Sequence, residues 1–153
     1  MNAKLFSKTK LGSIELKNSI VMAPMTRCRA INNIPNDLMA KYYEQRTEAG
    51  LIITEGTSPS PNGLGYARIP GIFSNKQTEG WKKVTSAIHS KGSACFVQLM
   101  HTGRVSHIDN MPSSSEVLAP SAIAIKAQMW TDKGGMQNYP VPKEMTKEDI
   151  EKN

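Results

Sequence analysis

Cysteine is scarce in this chain: Cys28 and Cys95 are the only two, far apart and without the short spacing of a metal site. That argues against a disulfide framework, and two reduced, partly buried thiols are expected. Histidine is scarce too. His89, His101 and His107 form no ligand pattern, so no metal site is expected. Long apolar runs are missing. No stretch of about 18 apolar residues occurs, which leaves out a membrane-spanning helix. The opening Met1-Asn2-Ala3-Lys4-Leu5-Phe6 lacks a secretory signal's apolar segment, so a cytoplasmic location is the expectation. Aromatics make up 6% and form no stacking run. The net charge of +6 is spread from residue 4 to residue 152, with Asp and Glu interspersed and no Lys/Arg block. Solvated surface accounts for that pattern better than nucleic-acid binding does.

What remains is an alternation of two periodicities. Leu5-Phe6 and Ile14-Glu15-Leu16 read as the arms of a hairpin around a Lys-rich turn with Gly12 and Ser13. Ser19-Ile20-Val21-Met22-Ala23 reads as a buried strand stopped by Pro24. A loop follows over residues 27–35. Leu38, Met39, Tyr42 and Tyr43 then fall at helical spacing, with Gly50 where a C-terminal cap belongs. Leu51-Ile52-Ile53-Thr54-Glu55 is a second strand, and the Gly/Pro/Ser-rich segment 56–63 a loop. Ser74 and Gln77 make a capping box for a second helix whose apolar face is Trp81, Val84 and Ile88, ending near Lys91-Gly92.

The third strand carries the most chemistry. Ala94-Cys95-Phe96-Val97-Gln98-Leu99-Met100 runs into His101-Thr102-Gly103-Arg104. A buried apolar strand is thereby expected to deliver an amide, an imidazole and a guanidinium within seven residues of one another. Buried polar groups cost free energy unless partnered, and βα barrels build active sites at strand ends. Gln98 points opposite to Val97 and Leu99 on a regular strand, toward a barrel interior. Beyond Arg104 no periodicity is evident until Val141; this long excursion contains several prolines and glycines. Thr146-Lys147-Glu148-Asp149 opens a third helix, with Met145 and Ile150 at the staple positions. Strands alternating with helices imply a parallel sheet, and nothing in the composition divides the chain into two domains.

Three segments, Ala23-Pro24-Met25-Thr26-Arg27, Gly50-Leu51-Ile52-Ile53-Thr54-Glu55-Gly56 and Gln98-Leu99-Met100-His101-Thr102-Gly103-Arg104, resemble the old yellow enzyme family. Its members are FMN-dependent NAD(P)H oxidoreductases, many of which reduce activated alkenes. The resemblance implies an α/β fold, the N-terminal part of a (β/α)₈ TIM barrel. About three βα units, an N-terminal hairpin and a long excursion would make residues 1–153 one partial FMN-binding domain, stopping at the start of the third helix. A full barrel takes about 250 residues. FMN is the implied cofactor, NADH or NADPH the co-substrate and a small activated alkene the substrate. Neither nucleic acid nor membrane is an expected partner. A complementary C-terminal barrel fragment, or self-association, is the partner such a piece calls for. A non-catalytic remnant or assembly fragment is the alternative.

The resemblance also implies roles. The Thr26 hydroxyl would donate to the flavin O4; a turn hydroxyl bonded to its own backbone is the plainer reading. Ala23, Pro24 and Met25 would line the ring. Gln98 would present its carboxamide to the pyrimidine edge. Gly56 would let the backbone approach the ring, or serve as an ordinary turn glycine. Tyr66 would face the substrate pocket, and Met100 would stand where related enzymes often have tryptophan, reshaping that pocket. His101 and Arg104 are expected to orient their loop, and Cys28 to be structural. No catalytic residue is expected within the chain; the pair that grips the substrate carbonyl, the proton-donating tyrosine and the phosphate site would lie beyond Asn153. A three-stranded sheet would leave two edges unpaired and the Trp81, Val84 and Ile88 face partly uncovered.

Overall fold

A computed structural model describes residues 4–152; residues 1–3 and Asn153 lie outside the described residues. The chain opens with an antiparallel hairpin, β1 (Thr9–Leu11) and β2 (Ile14–Leu16), in which Thr9 faces Leu16 and Leu11 faces Ile14. The turn was expected at Gly12-Ser13 and lies there, with Gly12 at φ +56°. The first arm differs from expectation, since Leu5 and Phe6 are exposed and outside it. A two-residue turn pairs the residues directly flanking it, and this sets the arm at Thr9–Leu11.

β3 (Val21–Met22) follows, shorter and less buried than the strand expected over residues 19–23, since only Met22 is buried, and after the loop and a 3₁₀ turn comes α1 (Asp37–Glu44). Asn36 caps α1 by accepting the Met39 N–H at 3.1 Å. The helix stops six residues short of Gly50, which is no cap. A Cβ at Gly50 would collide with the Asn18 carbonyl oxygen. The glycine instead admits the backbone of the preceding segment, and Gly50 N–H donates to Asn18 Oδ1 at 2.8 Å.

β4 (Leu51–Thr57), α2 (Asn75–His89) and β5 (Ala94–Leu99) complete the alternation. The three long-range strands form one parallel sheet in the order β3-β4-β5. β4 runs two residues further than expected, so Gly56 and Thr57 are sheet residues and not loop. The α2 capping box is present: Gln77 Oε1 accepts the Ser74 N–H at 3.0 Å, and Ser74 Oγ accepts the Gln77 N–H. Gly92 ends this unit at φ +73°.

The core lies between the sheet and the two helices. Met22, Met39, Tyr43, Ile52, Trp81, Val84 and Ile88 form one buried cluster. The Trp81, Val84 and Ile88 face is therefore fully covered, contrary to expectation, because α1 packs directly against α2. The uncovered apolar surface lies elsewhere. Phe96, Val97 and Leu99 on β5 are 41%, 43% and 60% exposed, so β5 is not the buried strand expected: no described strand pairs with its outer edge.

The excursion also differs from expectation. It contains β6 (Leu118–Ala119), the hairpin β7 (Gln128–Thr131) and β8 (Gly135–Asn138), and β9 (Lys143–Glu144), which pairs in parallel with β6. Strands of two to four residues are too short for a period of two to show in sequence. Finally α3 (Lys147–Lys152) begins where expected, with Thr146 Oγ1 accepting the Asp149 N–H at 3.1 Å.

Candidate functional site

Parallel strands deliver their C-terminal ends to one side of the sheet, and the residues singled out in sequence lie near or after those ends along the chain. Ala23 directly follows β3 and is exposed; Pro24 is half-buried, while Met25 and Thr26 are exposed. On the neighbouring strands Gly56 and Gln98 are register partners, just past an irregularity in the β4–β5 pairing. Gln98 is exposed on β5, and its backbone N–H donates to Thr54 Oγ1 at 3.4 Å.

Two polar groups are open for a ligand. Among the described residues the Thr26 hydroxyl makes no hydrogen bond, so it is not tied up in its own turn. The Gln98 carboxamide likewise has no protein partner, while its backbone is anchored. A hydroxyl, a carboxamide with both donor and acceptor, and a short apolar stretch suit the edge of a planar heteroaromatic ring.

Gly56 has a more specific reason to lack a side chain. A Cβ there would sit 2.6 Å from the Met100 thioether sulfur. Met100 folds over β4 and packs with Tyr66 against a second cluster of Leu64, Ile69, Met111 and Val117. Tyr66 also borders a cavity of about 290 Å³ with Cys28, Met136 and Tyr139. Burial, then the neighbouring Tyr139 and Cys28, raises the Tyr66 phenol above its ordinary 10.0. Burial likewise raises the Cys28 thiol, which keeps it protonated and poorly nucleophilic. Sequence reasoning passed over Tyr139. It lies in a segment without periodicity, and only the β7–β8 hairpin brings it to Tyr66.

His101 and Arg104 shape the loop. Gly103 N–H donates to His101 Nδ1 at 3.1 Å, and burial pulls the imidazole below its ordinary 6.5. Arg104 donates to the Ile123 carbonyl at 3.1 Å and to Ser121 Oγ at 2.8 Å, tying β5 to the excursion.

A second missed group is Glu55, buried at 1% exposure next to Gly56. Its Oε2 accepts the Arg27 N–H and its Oε1 the Tyr43 hydroxyl, both at 3.3 Å. Its own N–H donates to the Tyr43 oxygen at 2.8 Å. The signal was present in sequence, an acid ending an apolar strand, but its partners come from distant segments. Close by, Arg27, Leu38, Met39, Tyr42 and Glu55 help wall a cavity of about 260 Å³, which includes neither Thr26 nor Gln98.

Comparison with known families decides the lineage, since the model of the NADH:flavin oxidoreductase / NADH oxidase family matches residues 4–153. The chain belongs to that family. It is 40% identical over 151 residues to 12-oxophytodienoate reductase 7 of Oryza sativa subsp. japonica, covering 97% of this chain and 38% of that one. It is 39% identical over 145 residues to a probable flavin mononucleotide-dependent alkene reductase of Leishmania infantum, covering 92% of this chain and 40% of the relative. Among solved structures, the old yellow enzyme homologue of Zymomonas mobilis superposes with a TM-score of 0.89 at 39% identity, over 97% of this chain and 41% of that one. This family member thus has the architecture of the N-terminal part of an old yellow enzyme TIM barrel, and it spans about two-fifths of the length of these relatives.

Proposed function

We propose that the chain forms the N-terminal, flavin-holding part of an FMN-dependent NAD(P)H oxidoreductase that reduces activated alkenes, with residues 1–153 one portion of a single barrel domain. The observation that carries this reading is the pair of groups without a hydrogen-bond partner among the described residues, Thr26 Oγ1 in the loop after β3 and the Gln98 carboxamide near the C-terminal end of β5, on strands of one parallel sheet.

When bound, FMN would supply the hydride chemistry between NADH or NADPH and an electron-poor alkene carbon. The chain's own residues hold and tune the ring. Thr26 would donate to the ring's O4 and so favour the electron density gained on reduction. Gln98 would accept from N3–H and donate to O2 with one planar group. Ala23, Pro24 and Met25 would line one face. Gly56, by admitting Met100, links the ring-contacting strand to the cavity bordered by Tyr66, where the alkene would sit. The groups that grip the substrate carbonyl and deliver the proton come from outside residues 1–153 in this reading, as does the phosphate grip.

The exposed apolar residues of β5 support completion of the barrel by further strands, supplied by a complementary C-terminal portion or by self-association. The two unpaired thiols accord with a cytoplasmic setting.

The test joins the chain to the remaining βα units of a relative such as the rice reductase. The completed barrel should bind FMN, bleach when NADH or NADPH is added without oxygen, and recover its yellow colour on addition of an α,β-unsaturated ketone. A folded barrel that stays colourless in FMN would contradict the proposal.

A further inference from the structure

Among the described residues Glu55 is the only acidic side chain in the buried class. A carboxylate taken out of water costs free energy that two hydrogen bonds recover only in part. It is therefore a poor choice for stability alone. Its contacts are specific. Tyr43, itself buried, grips Glu55 twice, accepting from its backbone N–H at 2.8 Å and donating to Oε1 at 3.3 Å. The other oxygen, Oε2, takes the N–H of Arg27 at 3.3 Å. That N–H belongs to the Thr26–Arg27 peptide group. Holding it fixes the plane that immediately follows Thr26. Glu55 is also bonded covalently to Gly56, whose register partner is Gln98.

We infer that Glu55 is a positioning residue for the flavin contact: seated by Tyr43 of α1, it locks the Thr26–Arg27 peptide to β4 and so holds the Thr26 hydroxyl in one frame with Gly56 and Gln98. This rests on the flavin reading given above. The lock needs an acceptor oxygen facing the Arg27 N–H, which the carboxylate supplies with Oε2 while Oε1 takes the Tyr43 hydroxyl; an aliphatic side chain of similar size supplies none. Among the described residues the Arg27 guanidinium makes no hydrogen bond to the carboxylate, though its charge favours the ionised form; it lies 5.6 Å from the Tyr42 ring centre.

The experiment compares Glu55→Leu, Thr26→Ala, the double variant and Tyr43→Phe in the completed barrel. In FMN-free protein, amide exchange at Arg27 should accelerate about tenfold in Glu55→Leu and stay unchanged in Thr26→Ala. In FMN-loaded protein, Glu55→Leu should lower the flavin reduction potential and weaken FMN binding. In the Thr26→Ala background the same change should have no further effect, because its influence passes through Thr26. Tyr43→Phe should shift both readouts the same way by less, and it serves if Glu55→Leu does not fold. Equal effects of Glu55→Leu with and without Thr26 would overturn the positioning role while leaving the flavin site standing. Unchanged Arg27 exchange would overturn it as well. If Thr26→Ala moves neither potential nor affinity, the flavin reading itself fails, and the positioning role with it.

Discussion

Gly50 and Gly56 both keep space clear, yet the neighbours they admit differ in how far they can yield. At Gly50 the neighbour is the Asn18 backbone carbonyl; at Gly56 it is the far end of a thioether. In the completed barrel Gly50→Ala should therefore cost about 3 kcal/mol or more in urea unfolding, and Gly56→Ala only about 1 kcal/mol. Met100→Ala should erase the cost of Gly56→Ala but not that of Gly50→Ala. Glu55 offers a test in pH. Burial raises its carboxyl above the ordinary 4.5, against the opposing Arg27 N–H and Tyr43 hydroxyl. The native state then holds the proton more tightly than the unfolded chain. Its contribution is fully present below 4.5 and is lost as pH rises through the native value. Denaturation across this range should show wild type losing stability relative to Glu55→Gln as pH increases. Glu44 should behave oppositely, since the hydrogen bond and charge of Lys41 lower its carboxyl.

Elements with complete local signals were legible in sequence. The α2 capping box is an example, and Ser74→Ala should cost about 1 kcal/mol, with faster amide exchange confined to the first turn of α2. The three parallel strands, both main helices and the opening turn of α3 were readable for the same reason: apolar periodicity bounded by cap or breaker residues. What escaped notice is non-local. The β6–β9 pair and the β7–β8 hairpin have arms of two to four residues, and their pairing rests on contacts across the excursion. Gly50 showed that a residue type can be read correctly as special and assigned the wrong reason. At the site, Thr26, Gly56 and Gln98 were singled out through the resemblance to the old yellow enzyme family, each lying in or a few residues past a recognisable strand. Glu55 and Tyr139 did not, since their meaning comes from Tyr43, Arg27 and Tyr66, which the fold brings to them.

At the scale of the whole molecule, the sheet presents Phe96, Val97 and Leu99 at an edge that no described strand covers. A polypeptide of these 153 residues should associate or unfold without a sharp transition, and should become a single cooperative species once the remaining strands are supplied. Size-exclusion chromatography and calorimetry of the two preparations check this. The central claim is that Thr26 and Gln98 hold one flavin ring, and FMN titration of the completed barrel with Thr26→Ala, Gln98→Ala and both together tests it most directly. Thr26→Ala should weaken binding about tenfold, in line with one lost hydrogen bond, and Gln98→Ala by more, since it removes two; each should alter the flavin absorption band. Unchanged affinity and an unchanged spectrum in the double variant would contradict the account.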